Sequence, residues 1–230
     1  MHVPDGFIDA PVSLAAGVVA AGGIAVCLRG ARRELDDRTA PMAGLVAAFV
    51  FAAQMLNFPV AGGTSGHLLG GALAAILVGP YTGALCVSVV LIVQAMLFAD
   101  GGLSALGLNI ILIAMIPAAV GYLLFRVLVR LLPYGRSTAV GSAFVAALVS
   151  VPVAAVAFVA LYAVGGTTDV PLGKVLAAMV GVHVLVGIGE AIITALTVGS
   201  VLAARPDLVH GVRDRQPDLE LRSPAPEVAR

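Results

Sequence analysis

Residues 41–125 read PMAGLVAAFVFAAQMLNFPVAGGTSGHLLGGALAAILVGPYTGALCVSVVLIVQAMLFADGGLSALGLNIILIAMIPAAVGYLLF, and the only formally charged side chain among them is Asp100. A soluble domain carries about 25% charged residues, and so long an uncharged run leaves no face to turn to water. Over all 230 residues, 11% are charged and 60% hydrophobic, with a mean hydropathy of +1.06. The chain therefore reads as an all-α polytopic membrane protein, in which helices satisfy their own backbone groups inside lipid. Gly is abundant and Trp absent, and small residues let helices approach closely in a bilayer. The formal net charge is zero, so nothing points to a nucleic-acid partner. Cys27 and Cys86 fall inside apolar runs and read as small buried hydrophobes, neither a disulfide nor a metal pair.

Working outward from this stretch, the spacing predicts about seven transmembrane helices, over residues 11–28, 41–57, 64–79, 81–99, 103–125, 137–164 and 173–204. The third and fourth form a tight pair turned at Gly79-Pro80, and the sixth is long enough to tilt or kink at Pro152. Charge placement tests the count. Arg29, Arg32, Arg33 and Arg38 follow the first helix. Arg126, Arg130 and Arg136 follow the fifth, and Arg205, Arg213, Arg215, Arg222 and Arg230 follow the seventh. Seven spans put all of these on one side and leave only Lys174 on the other. Basic residues mark the cytoplasm, which predicts an N-terminus outside, a C-terminus in the cytoplasm and a multi-pass protein of a prokaryotic plasma membrane. Residues 1–204 read as one membrane domain. Residues 205–230, charged and containing Pro206, Pro217, Pro224 and Pro226, read as a disordered cytoplasmic tail in which His210 is solvated.

The start of the chain carries the chemistry. No Lys or Arg precedes the first apolar run, and Asp5 and Asp9 do, which is not the pattern of a cleaved signal peptide. The α-amine is expected to survive, and Met1 to remain before the bulky His2. The Met1 amine, the His2 amide and the His2 imidazole can close two fused chelate rings on one ion. Nitrogen ligands in a plane suit Ni(II) or Cu(II), and Co(II) by extension. On the same predicted outer side lies a Gly-rich loop, Asn57-Phe58-Pro59-Val60-Ala61-Gly62-Gly63-Thr64-Ser65-Gly66-His67. His67 is expected in the first turn of the third helix, placed either to supply a fourth nitrogen or to serve as an ordinary interfacial histidine.

Other polar residues interrupt the apolar helices. Asn57, Gln94 and Asp100 lie near the outer ends of their helices and are candidates to orient the ligands from behind. Asp100-Gly101-Gly102 is also a plain turn signal, and a turn or local hydrogen-bonding role is the expected one for Asp100. His183 falls near the midplane of the seventh helix, with Glu190 seven residues on and on the same face. Ionisable residues in a span are expensive and usually functional. Here they form either a structural hydrogen bond to neighbouring helices, the favoured reading, or a relay or conformational lock for metal release. Small residues at helical spacing, Gly17, Ala21 and Ala25 and then Gly71, Ala75 and Gly79, suit close packing, internally or against a partner.

Four ordered motifs make the chain resemble a known family: the substrate-binding (S) components of cobalt and nickel energy-coupling-factor (ECF) transporters. Met1-His2-Val3-Pro4-Asp5-Gly6-Phe7 matches the family's opening. Gly62-Gly63-Thr64-Ser65-Gly66-His67-Leu68-Leu69-Gly70-Gly71 matches the second motif, Gln94-Ala95-Met96-Leu97-Phe98-Ala99-Asp100-Gly101-Gly102-Leu103 the third, and His183-Val184-Leu185-Val186-Gly187-Ile188-Gly189-Glu190-Ala191 the fourth. The chain departs from the pattern after Gly107-Leu108-Asn109, where Leu112 and Ile113 stand near positions that often hold Asn and Met. The resemblance covers residues 1 to about 202. It implies Co(II) or Ni(II) as transported substrate, held by the Met1 amine, the His2 amide and imidazole, and His67, with no organic cofactor. It further implies a coupling transmembrane subunit, two ATPase subunits and a small accessory membrane subunit as partners, with surrounding lipid. The imported metal would serve cobalamin biosynthesis or nickel enzymes.

The rival reading is an intramembrane serine protease of the rhomboid kind. Gly63-Thr64-Ser65-Gly66 fits its serine motif, and His183 would complete a Ser65–His183 dyad. It leaves the Met1-His2 start unexplained, and the family's Trp-Arg loop feature is missing. Nothing resembles a Walker A loop, since Gly173-Lys174 is followed by Val175, so ATP hydrolysis would fall to partner subunits.

Overall fold

The computed structural model describes residues 1–37, 39–56, 58–59, 65–133 and 135–215, without the side chains of residues 58, 59 and 65. Asn57, residues 60–64 of the Gly-rich loop, and residues 216–230 of the expected tail lie outside the described residues.

Helix α1 (Ala10–Glu34) starts cleanly because the Asp9 carboxylate accepts from the Val12 N–H at 2.8 Å and Pro11 takes an early position that needs no N–H partner. Helix α2 (Thr39–Gln54) follows, and then β1 (Phe58–Pro59) pairs antiparallel with β2 (Ser65–Gly66). Helix α3 (Gly71–Val78) turns at Gly79 into α4 (Pro80–Leu97). Gly79 has φ +101°, and a Cβ there would lie 2.4 Å from the Glu34 carboxyl carbon. Only glycine fits both conditions. A single rod follows, built of α5 (Leu106–Asn109), a π-helical stretch (Ile110–Met115) and α6 (Ile116–Leu131). Helices α7 (Arg136–Gly165) and α8 (Leu172–Ala204) close the bundle, packed along each other.

Five of these rods are long and apolar enough to cross a membrane: Ala10–Glu34, Pro80–Leu97, Leu106–Leu131, Arg136–Gly165 and Leu172–Ala204, with Thr39–Gln54 a shorter apolar helix. Together with α3 they make the helical rods expected from the sequence. The third is the one that differs. It was expected over residues 64–79; it begins at Gly71, and at roughly 1.5 Å per residue it is too short to span a bilayer. All of its residues are buried, against α2, α4, α6, α7 and α8. It is the plug of the bundle.

The small-residue sets divide. Gly71 and Ala75 pack internally: a Cβ on Gly71 would lie 2.8 Å from Pro117 Cβ. Ala21 and Ala25 are exposed on α1, while Gly17 gives its backbone to α5, where a Gly107 Cβ would come within 2.5 Å of Gly17 Cα. Pro152 sits inside α7 and cannot donate to Leu148. On α8, Gly187 leaves that freed carbonyl room, 3.1 Å from where its Cβ would stand. Of the cysteines, Cys86 is buried with its thiol directed to the Ala43 carbonyl at 3.4 Å, and both are free.

The beginning of the expected tail does not behave as one. Residues Pro206–Leu208 and His210–Arg215 form two short 3-10 turns. Val209 and Val212 are fully buried, and the Arg126 guanidinium pairs with both Asp214 oxygens at 2.6 and 2.7 Å. His210, expected in solvent, lies 5.9 Å from the Tyr122 ring, centroid to centroid.

Candidate metal site

The first three residues are threaded into the bundle, with Met1 and Val3 fully buried and His2 4% exposed, while Asp5 and Gly6 lie at its surface. Each step of the thread has a partner. The Val3 N–H donates to Asn109 Oδ1 at 2.7 Å, and the Val3 carbonyl accepts from Asn109 Nδ2 at 3.2 Å and from the Gly102 N–H at 2.9 Å. Asp5 accepts from the Ser104 N–H and hydroxyl at 2.8 and 2.5 Å. The Thr167 hydroxyl donates to the Gly6 carbonyl at 2.6 Å, and the Asp9 N–H donates to Gly165 at 2.7 Å. Phe7 packs on Phe158 and Tyr162, with ring centroids 6.0 and 5.5 Å away. Extended backbone inside a bundle is tolerated only where protein satisfies it, and here the α5 rod and the 98–104 turn do so.

His67 arrives from the other direction. It is not in a helical turn, as expected, but in the non-helical residues between β2 and α3, and it is fully buried. The polar backbone of this stretch is paired by side chains from distant elements. Glu190 accepts from the Leu69 N–H at 2.7 Å and the Gly70 N–H at 3.1 Å, at the N-terminal end of α3 where such donors are otherwise orphaned. Gln54 Nε2 donates to the Leu69 carbonyl at 2.6 Å. His67 Nδ1 donates to the Leu68 carbonyl at 2.6 Å.

The two segments meet in the interior, where the His2 and His67 rings lie 4.5 Å apart, centroid to centroid, inclined by 36°. His2 Nδ1 is 2.8 Å from Asp100 Oδ1. In both rings the nitrogen without a hydrogen-bond partner among the described residues is Nε2. A ring that donates through one nitrogen leaves a lone pair on the other; His67 thereby has the arrangement of a metal-ligating histidine, whereas a chelate closed through the His2 main chain would need His2 Nδ1. Electrostatics agree. Burial lowers the Met1 amine to about 5 against the opposing pull of Asp100. It lowers His2, again against Asp100, and holds His67 well below the ordinary histidine range, helped by the amine and His2. At neutral pH all three carry lone pairs rather than protons. Among the described residues no three His, Cys, Asp or Glu side chains converge on one metal position. A complete set here would therefore draw on main-chain nitrogen.

Of the residues singled out behind the ligands, Asp100 is the one joined to His2, a more direct contact than the turn role expected of it. Gln94 is fully buried, with neither amide atom paired among the described residues, while its carbonyl accepts from the Asp100 N–H at 3.1 Å. Asn57 lies outside the described residues. Glu190 makes the structural hydrogen bonds that the favoured reading expects. His183 is fully buried, with Nδ1 2.7 Å from the Met179 carbonyl. Sequence reasoning missed Asn109, Gln54 and Glu34. Glu34 is buried and accepts from the Thr82 N–H at 2.7 Å, so it caps α4 from α1. The signal that flagged Glu190, a lone polar side chain among apolar neighbours, was equally present at Asn109 and Gln54.

Fold and interior together define a multi-pass helical membrane protein whose buried nitrogen donors suit a borderline transition-metal ion. The chain belongs to the family described as the cobalt uptake substrate-specific transmembrane region, CbiM, whose model matches residues 2–208. A Haloquadratum walsbyi protein named for metal transport is 41% identical over 209 residues, covering 91% of this chain and 93% of the relative. An Archaeoglobus fulgidus protein named for fused nickel transport, NikMN, is 42% identical over 211 residues, covering 91% of this chain and 68% of the relative. A crystal structure of a transition metal transporter matches with a TM-score of 0.81 at 28% identity, covering 94% of this chain and 97% of that one. The relatives are named as transport proteins, not enzymes, which leaves the Ser65–His183 protease reading without support; the Ser65 side chain lies outside the described residues.

Proposed function

We propose that this chain is the metal-capturing subunit of an ECF-type, ATP-driven importer for Co(II) or Ni(II). The observation that carries the reading is the burial of the Met1 amine beside His2 and His67. An amine forced neutral inside a bundle, next to two imidazoles with unpaired nitrogens, is costly for a structural terminus and useful as a ligand. The ion is held by the amine, the His2 amide and imidazole, and His67 Nε2. Closing a six-membered ring through His2 uses Nδ1, so the imidazole turns about its Cβ–Cγ bond, away from Asp100, when the ion enters. Nitrogen in a plane discriminates against Mg(II) and Ca(II), which want oxygen. The site faces outside and the arginine-rich ends face the cytoplasm. Energy comes from two ATPase subunits acting through a coupling membrane subunit, with a small accessory membrane subunit, and the metal goes to cobalamin biosynthesis or nickel enzymes.

The test is Ni(II) and Co(II) titration of the purified chain against a version extended by residues ahead of Met1. One-to-one binding with a square-planar Ni(II) absorption spectrum, lost on extension, is the expected result. Equal binding by both forms would eliminate the amine ligand and with it the proposal.

A further inference from the structure

Helix α1 meets its arginines at a depth that its length fixes. From Ala10 to Leu28 it rises about 28 Å at 1.5 Å per residue, close to the roughly 30 Å of a bilayer's hydrocarbon core. Along this stretch Leu14, Val18, Val19, Val26 and Leu28 are exposed, as suits a helix that faces lipid. Arg29, Arg32 and Arg33 follow, all exposed. Arg29 and Arg33, four apart, share one face, and their guanidiniums come out at the level of lipid phosphates.

These two arginines line an open pocket of about 240 Å³ between α1 and the start of α4, whose other walls are Val26, Gly30, Glu34 and Tyr81. A Cβ on Gly30 would lie 2.3 Å from the Tyr81 ring, so the missing side chain lets Tyr81 lean on the α1 backbone. Tyr81 stays 42% exposed, and a tyrosine is at home at the membrane boundary. Glu34 is the nearest candidate to neutralise the arginines, but its carboxylate is turned to α4. Its two oxygens accept from the Tyr81 and Thr82 N–H groups at 3.3 and 2.7 Å. Neither guanidinium has a hydrogen-bond or ion-pair partner among the described residues. Two guanidiniums against one carboxylate leave the pocket a formal charge of +1, the complement of one phosphodiester. Val26, a turn deeper than Gly30, extends the pocket into the apolar zone. A small free anion has no use for that wall; the first carbons of an acyl chain do.

We propose that this pocket seats an anionic glycerophospholipid, with Arg29 and Arg33 on its phosphodiester oxygens and an acyl chain running down past Val26. The inference is independent of the metal site, since it needs only that α1 spans a bilayer.

The test uses the full chain, stripped of lipid in detergent and titrated with phosphatidylglycerol or with phosphatidylcholine of the same acyl chains, the bound lipid being counted by native mass spectrometry. The unmodified chain should hold one phosphatidylglycerol in clear preference. Arg29→Gln and Arg33→Gln should each weaken that binding about fivefold, and together about thirtyfold. Arg32→Gln, exposed on the same turn but outside the pocket wall, should leave it unchanged. Equal loss in Arg32→Gln would reduce the effect to general surface charge and overturn the pocket. Displacement of the lipid by an equal concentration of glycerol 3-phosphate would show that the headgroup anion alone is bound, which overturns the lipid as occupant. The preference of the unmodified chain is read without any variant, so a folding defect cannot mask it, and its absence ends the proposal. Failure of the double variant to co-purify with a coupling membrane subunit, in that case, would assign the arginines to a protein interface instead.

Discussion

At the scale of single residues, the chemistry turns on which protons are already gone. A Met1 amine in the ordinary range would compete with metal throughout neutral pH. Here burial holds it near 5, and His2 and His67 are lowered too. Proton competition from a group stops above its pKa, so at neutral pH these three no longer oppose the ion. Only the His2 amide must lose its proton on binding. Ni(II) binding in weak buffer near neutrality should release about one proton, with affinity rising about tenfold per pH unit and more steeply below about pH 5. Release of two or more protons at pH 7 would mean that the terminus is not held neutral. Asn109 offers a test that touches no ligand. Asn109→Leu strands the buried Val3 N–H, which costs about 1–3 kcal/mol. It should lower both the thermal midpoint and Ni(II) affinity by loosening the thread that carries Met1 and His2. Unchanged affinity in a folded variant would show that the thread is positioned elsewhere.

At the scale of elements, the informative departure is α3. Residues 64–79 carry no charge, and their Gly-rich start reads as a loop running into a helix. Nothing local says that residues 67–70 stay outside the helix, because the side chains that pair their backbone are Gln54 on α2 and Glu190 on α8. Sequence placed His183 and Glu190 correctly on one helix and one face, but could not name Leu69 and Gly70 as the partners. The proposed Met1–His2 chelate could be read from the chain because its ligands are neighbours in sequence. The Asp100–His2 contact could not, since it joins residues that only the fold brings together. Glu190→Gln keeps size and one acceptor but sets an N–H against a second N–H. It should destabilise by about 1–3 kcal/mol, and Ni(II) affinity should fall because His67 lies two residues from the loosened anchor. Wild-type affinity with a lowered thermal midpoint would confine Glu190 to stability and free His67 from it.

At the scale of the whole molecule, the bundle is a buried plug closed at both ends. The outer-facing end in our reading carries the metal nitrogens, and its first helical turn hangs from Glu190. The opposite end turns at Gly79 against Glu34 and is covered by residues 206–215, where a Gly211 Cβ would stand 2.5 Å from the Phe125 ring and 3.3 Å from the Ile76 carbonyl. Composition reads these residues as tail, since Asp207, Arg213, Asp214 and Arg215 stand beside only Leu208, Val209 and Val212 as large apolar residues. It misses that Val209 and Val212, spaced three apart, reach one buried face while Arg126 receives Asp214. Burying a valine stabilises by about 1.5–3 kcal/mol, so cutting the chain after Ala204 removes two such contributions and the Arg126 pair and uncovers Phe125. The cut protein should melt several degrees lower in detergent, yet still bind one Ni(II) with the native spectrum, because every proposed ligand lies at the far end of the plug. A midpoint unmoved by the cut would mean that the cover adds nothing to the bundle. A lost spectrum at preserved stability would mean that the two ends of α3 are coupled, and that a pull on residues 206–215 can reach the proposed ligands.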